Sequence, residues 1–198
     1  SNLFLALAVH RVRYNFRMLN IPSIEPVDYL VIGHITQDIT PNGPVFGGTA
    51  SYAALTAKAL GLRVGIVTTY DVEKLGFPPA LKDIAIFAHP SEVSTTFENI
   101  HTPTGRIQYL HKRAPVLNFT HVPETWRSAP IVHFGPVAQE IEPALVRSFP
   151  NSFVGLTPQG WLREWDDQGL VRLGEWPEAR YVLEHANAAV ISVEDVRG

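Results

Sequence analysis

The chain has 198 residues, within the roughly 50–250 residues of most single domains. It is 45% hydrophobic and 18% charged, with 14 glycines, 16 prolines and no cysteine. That is a globular, turn-rich composition, and it excludes disulfides, thiolate metal sites and cysteine nucleophiles. Lys and Arg number 16 against 19 Asp and Glu, a net charge of −3, so the chain lacks the basic footprint of a nucleic-acid binder.

The first apolar run, Leu3 to Val9, is far short of the roughly 20 residues a membrane-spanning helix needs. Its cations Arg11, Arg13 and Arg17 follow the run, whereas a secretory signal places them before it. Residues 1–27 therefore read as a leader or extension, ahead of a domain that begins near Asp28 after Pro22 and Pro26. The lack of cysteine is compatible with a cytoplasmic location.

From Asp28 the elements alternate. DYLVIGHI (28–35) predicts a strand covered on both faces. A turn-rich loop, Thr40-Pro-Asn-Gly-Pro44, precedes a helix over 50–60 that opens after Gly47-Gly48-Thr49 and stops at Gly61. LRVGIVTT (62–69) is the next strand and completes a βαβ unit of a parallel sheet. Residues 94–112 carry a hairpin pattern around Thr102-Pro-Thr-Gly105, a small secondary sheet projecting from the main one. Strands at 131–135, 153–157 and 189–193 follow, with helices at 139–148 and 177–186 between them. The region from 161 onward carries a local charge of −4, four arginines against eight carboxylates, and reads mostly as a solvated face.

In an open α/β sheet, ligands sit in loops at the carboxyl ends of the strands. That rule points to His34–Asp38, Gly47-Gly48, Thr69–Asp71, Gly135–Glu140, Thr157–Gly160 and Ser192–Asp195. Gly43-Pro-Val-Phe-Gly-Gly48-Thr49 nearly spells a P-loop but lacks the lysine, and the first strand leads into a single glycine where a dinucleotide fingerprint has three. What remains is Asp38 near the first strand and a Gly-Gly at a helix start. Bare backbone amides and a carboxylate together suit a hydroxyl-rich ligand. The same residues also read as a tight turn beside a surface acid. None of the eight histidines shows metal-ligand spacing; His133 reads as a core histidine, while His34 either lines the pocket or sits in the core. The four tryptophans read as core or interface residues.

DYLVIGHITQDIT followed by FGGTASYAALTAKALGLRVGIVTTYD resembles the N-terminal signature of the PfkB, or ribokinase-like, carbohydrate kinases, with Asp38, Gly47, Gly48, Leu60, Gly61 and Asp71 at the matching positions. The likeness runs from Asp28 onward, through TTFENIHTPTGRIQYL (95–110) and LTPQGWLREWDDQG (156–169). It implies a mostly parallel α/β sheet flanked by helices with a small β lid near 94–113, and an ATP-dependent, magnesium-requiring phosphoryl transfer to a hydroxyl of a sugar, cyclitol or nucleoside. Asp38, Gly47 and Gly48 would hold the acceptor. Tyr52 stands where many members have Asn, which puts ribose or fructose specificity in question. Asn99, Arg106 and Gln108 in the lid either reach the ligand or are ordinary polar residues of an exposed hairpin. Ser192-Val-Glu-Asp195 occupies the place of a short Asn-x-x-Glu motif, so that Asp195 would act indirectly on magnesium and phosphate; an acidic helix start is the alternative. The lid of such a protein is also a candidate homodimer surface.

The resemblance calls for a catalytic base in a Gly-Ala-Gly-Asp helix start, and this chain contains no such motif. The expectation is an incomplete ribokinase-like domain, truncated at the C-terminal side, that carries the acceptor portion and is inactive alone. The alternatives are a non-catalytic polyol- or nucleoside-binding module and a degenerate structural protein.

Overall fold

The computed structural model describes residues 18–19, 25–103 and 105–196. Its strands in chain order are β1 (Met18–Leu19), β2 (Tyr29–Ile32), β3 (Thr36–Thr40), β4 (Gly43–Gly47), β5 (Val64–Tyr70), β6 (Ala85–Pro90), β7 (Thr96–Thr102), β8 (Gly105–Lys112), β9 (Ile131–Phe134), β10 (Phe153–Leu156), β11 (Arg163–Trp165), β12 (Val171–Leu173) and β13 (Ala188–Ala189). The helices are α1 (Thr49–Ala59), α2 (Val72–Leu75) and α3 (Ala179–Glu184). The expected leader lies outside the described residues, apart from residues 18–19 and 25–27.

The central sheet runs β1-β6-β5-β2-β9-β10-β13 and is parallel throughout except for β1 on β6. Successive residues of a strand face opposite sides, and β2 shows why this segment sits in the middle: Leu30 and Ile32 enter one core while Val31 enters the other, all fully buried. The Val31 side is closed by α1, whose buried face of Ala50, Ser51, Ala54 and Ala57 is made of small residues that let the helix lie close against the strands. The opposite side is filled by larger groups, Trp126, Phe134, Phe149 and Trp161, with Val182 of α3. A second sheet, β4-β3-β7-β8, stands apart from the main one and forms the lid; a ribbon of β11 and β12 reaches β8 through a bridge between Leu170 and Tyr109. Among the described residues no helix is long and apolar enough to cross a membrane.

Three local expectations are corrected. The loop read at 40–44 is only the turn of a hairpin, and residues 36–40 and 43–47 on either side pair as antiparallel strands. Pro44 hides this pairing in the sequence, and it is tolerated because β4 is an edge strand of the lid. The helix expected over 139–148 shrinks to a 3₁₀ segment, Pro143–Ser148. Glu140 turns its side chain inward to accept hydrogen bonds from its own loop, and Gln139 adopts φ 55, so no helix starts there. The strand read at 189–193 pairs only at Ala188 and Ala189, because its neighbour β10 ends at Leu156, and the chain goes on to a 3₁₀ turn at Val193–Asp195. The strand β6 and the ribbon β11–β12 add to the expected elements.

His133 is the core histidine expected. Its ring nitrogens meet the hydroxyls of Tyr29 and Thr157, and burial drives its pKa down to about 4. The folded state therefore excludes a proton that the unfolded chain takes up below pH 6.5, so stability is complete above that value and falls as the pH drops toward 4. At pH 5 the loss from this residue amounts to about 2 kcal/mol, at 1.36 kcal/mol per pK unit. Urea titrations at pH 7 and pH 5 should show it, and a His133→Gln variant should lose about that much of the difference. An unaltered difference in the variant would contradict the assignment.

Candidate active site

Strand β2 is where the sheet changes direction: the chain leaves it through β3, β4 and α1 toward β5 on one side, while β9 pairs on the other. The loops after β2 and β9 thus diverge at their carboxyl ends and leave a crevice. Glu140 holds them together. Its side chain is fully buried and accepts from the backbone amides of His34 (3.1 Å), Val137 (2.9 Å) and Ala138 (2.7 Å), tying one loop to the other. His34 continues the tie into the lid, with Nδ1 at 2.7 Å from the Thr95 hydroxyl and Nε2 at 3.0 Å from the Pro115 carbonyl. Because that carbonyl only accepts, Nε2 carries the proton and Nδ1 accepts from Thr95. Burial lowers the pKa of His34 against the opposing pull of Glu140, so this residue is a neutral strut of the core and not a pocket wall.

Above the crevice, the lid and the start of α1 enclose a recess of about 180 Å³. Asp38, Gly48, Tyr52, Asn99, Arg106 and Gln108, all expected from sequence, line it together. The lid register explains the convergence: Asp38 on β3 is opposite Phe97 on β7, and Asn99 is opposite Gln108 on β8, so alternate residues of three strands share one face. Asp38 Oδ1 accepts from the Thr36 hydroxyl at 3.0 Å. Burial raises the Asp38 pKa, against the Thr36 hydrogen bond and the positive charge of Arg163. Gln108 Nε2 donates to Asn99 Oδ1 at 2.8 Å, presetting two amides toward the recess.

Gly47 does not line the recess but makes room for its acid, since a Cβ there would lie 2.5 Å from Asp38 Oδ2. Gly48 caps α1 at φ 91, and no side chain caps that helix end. The amides at the start of α1 are thereby presented to the recess, where they favour oxygen-rich ligands. Tyr52, one turn further, is largely exposed at the rim. Asp71, another position matching the resemblance, is a local cap: it accepts from the Lys74 amide at 3.0 Å and pairs with the Lys74 ammonium at 2.8 Å.

Sequence reasoning missed Arg163 and Phe97 as lining residues, while Thr36 and Val137 fell within loops that the strand-end rule ranked but carried no signal of their own. Gln159 fell within a loop ranked by the strand-end rule but carried no signal of its own. Its amide donates to Thr49 Oγ1 at 2.7 Å, while its oxygen accepts from Arg163 Nη2 at 3.1 Å. Arg163 also donates to the Val137 carbonyl at 2.9 Å and stacks over Phe97, its charge mostly buried. Asp195 Oδ1 sits 3.8 Å from Nη2 of that guanidinium, lining an adjoining cleft of about 540 Å³ and not the recess itself. Among the described residues no group of three or more His, Asp or Glu side chains could hold a metal ion.

No protein-family model and no curated protein matches the sequence. Solved structures do match by shape. A pyrophosphate-dependent kinase in the ribokinase family, complexed with a pyrophosphate analog and myo-inositol, superposes with a TM-score of 0.69 at 18% identity, covering 84% of this chain and 62% of that one. The nucleoside kinase of Methanocaldococcus jannaschii, an archaeal member of the ribokinase family, gives 0.56 at 17% identity over 85% of this chain and 62% of its own. The fructokinase of Halothermothrix orenii gives 0.58 at 14% identity over 86% and 69%. The fold is therefore the ribokinase-like α/β fold of these kinases, as the sequence suggested. The chain spans about 60% of the length of the pyrophosphate-dependent kinase structures it matches.

Proposed function

We propose that this chain is the acceptor-binding portion of a small-molecule kinase, holding a sugar, cyclitol or nucleoside hydroxyl in the recess for ATP-dependent phosphoryl transfer. The observation that carries this reading is the convergence of Asp38, the Gly48 helix start and the lid amides on one recess at the switch point of a kinase fold. Asp38 accepts hydrogen bonds from acceptor hydroxyls, the first amides of α1 approach its oxygens, and Asn99 and Gln108 close over it from the lid. Arg163, pinned between Val137 and Gln159, fixes the boundary between the recess and the neighbouring cleft.

The phosphoryl donor enters from the side of Asp195. Asp195, one carboxylate paired with a guanidinium, makes no protein cage for a cation, so it would act on magnesium only through water and the donor's phosphate oxygens. Magnesium supplies charge neutralisation at the transferring group. The base that the resemblance calls for has no counterpart in these 198 residues, so the chain alone binds the acceptor without turning it over. It acts in the cytoplasm on a small molecule, with no role in nucleic-acid binding. A second copy of the chain is a candidate partner for the lid, where Ile39, Ile100 and Ile107 are exposed.

The test is calorimetric titration with myo-inositol, fructose, ribose and adenosine. Asp38→Asn is expected to weaken the best of these about tenfold, the worth of one hydrogen bond to a charged group, with the urea midpoint close to that of the parent. Equal affinity in parent and variant would remove Asp38 from the site.

A further inference from the structure

The main sheet ends on one side at β13, and among the described residues no strand pairs with its outer edge. The segment keeps a strand's course on either side of its two paired residues, since the amide of Asn187 donates to the Val154 carbonyl at 2.8 Å and that of Val190 to the Leu156 carbonyl at 2.9 Å. Yet Ala188, Ala189, Val190 and Ile191 are all exposed, as are Phe153 on the neighbouring β10 and Leu183 on α3, which leads into β13. Successive strand residues face opposite sides, so this segment is apolar on both faces, the pattern of a strand inside a sheet and not at its margin.

The edges of the lid are guarded differently. There β4 carries Pro44, while β8 carries Arg106, His111 and Lys112 and is bridged by the ribbon at Tyr109. Residues 188–191 hold neither a charge nor a proline. An unguarded apolar edge takes up another strand, through backbone hydrogen bonds along the edge and side chains packed on both faces. Charge selects which strand. Residues 178–194 carry Glu178, Glu184 and Glu194 against Arg180 alone, and Arg180 is itself paired with Glu184 at 2.8 Å. Two copies of this edge would bring like charges together, whereas lysine or arginine on an incoming segment would meet opposite charge. We propose that the β13 edge is a docking surface for a β-strand of a separate polypeptide, apolar on both faces and flanked by basic residues, which extends the main sheet. None of these residues lines the recess or the cleft beside it, so the inference stands apart from the acceptor reading.

The probe is a short valine- and isoleucine-rich peptide with lysine at both ends, titrated into the 198-residue chain beside the same peptide ended with glutamate. The lysine form is expected to bind about tenfold more tightly or better, and to slow hydrogen exchange at residues 188–191. Val190→Lys alters an exposed residue, so it should keep the parent's urea midpoint while weakening the lysine peptide about tenfold. Equal binding of the two peptides, or none by either, overturns the proposal, and so does protection confined to the lid. A dimer in sedimentation equilibrium that Val190→Lys dissociates overturns it as well, because a second copy then occupies the edge.

Discussion

Replacing Glu140 with alanine is expected to cost about 4 kcal/mol of folding stability, the largest effect of any single change away from the hydrophobic core. Three backbone amides, those of His34, Val137 and Ala138, converge on this one fully buried side chain. Removing it leaves those donors without acceptors in a place water does not reach, at about 1–3 kcal/mol each before relaxation. Glu140→Gln keeps the shape and one oxygen, but its amide nitrogen faces donors, so an intermediate loss of about 2 kcal/mol is expected. Urea unfolding measures both. Because the clasp also fixes Val137 in the recess wall, the glutamine variant should weaken polyol binding even where it remains folded. Parent-like stability in Glu140→Ala would mean that the two loops are held by something else.

Gly48→Ala is expected to cost about 3 kcal/mol and to abolish measurable polyol binding. At φ 91 and ψ 148 the residue occupies backbone space that is essentially closed to side chains. The new Cβ would also lie 2.3 Å from the carbonyl oxygen of His34, which is part of the rigid floor and has nowhere to go. Gly61 separates the two causes: it has φ 86, but a methyl group there would meet nothing within 4 Å, so Gly61→Ala should cost only about 1 kcal/mol of backbone strain. Similar losses in both variants would show that the contact with His34 contributes nothing.

Much of this site was legible because it is built from residues whose types are chemically constrained. Gly47 and Gly48 announce themselves by the absence of side chains where a strand, a helix and an acid meet, and the register of β3 on β7 turns the sequence-distant Asp38 and Asn99 into neighbours on one face. The alternation of β-rich and helix-rich runs from Asp28 likewise pointed to a parallel main sheet, and β2, β5, β9 and β10 pair in parallel as that pattern requires. What stayed hidden was set by tertiary contacts. Arg163 lies in a segment that reads as a charged surface, and only the approach of Val137, Gln159 and Phe97 makes it a wall of the recess. Glu140 looked like the start of a helix. Its role depends on the amides of a loop 106 positions away in the chain, which no local pattern reveals. The strands β3 and β4 were masked by the prolines and glycine of their own turn.

The central claim is that a hydroxyl-rich acceptor sits between the lid and the start of α1. Hydrogen–deuterium exchange of the chain, with and without a saturating polyol, locates it directly. The expected result is slowed exchange in β3, β4 and the first turn of α1, in β7 and β8, and around Gln159 to Arg163. Unchanged exchange in these segments, with protection instead around Arg63 and Asp83 at the cavity on the opposite end of the sheet, would contradict it.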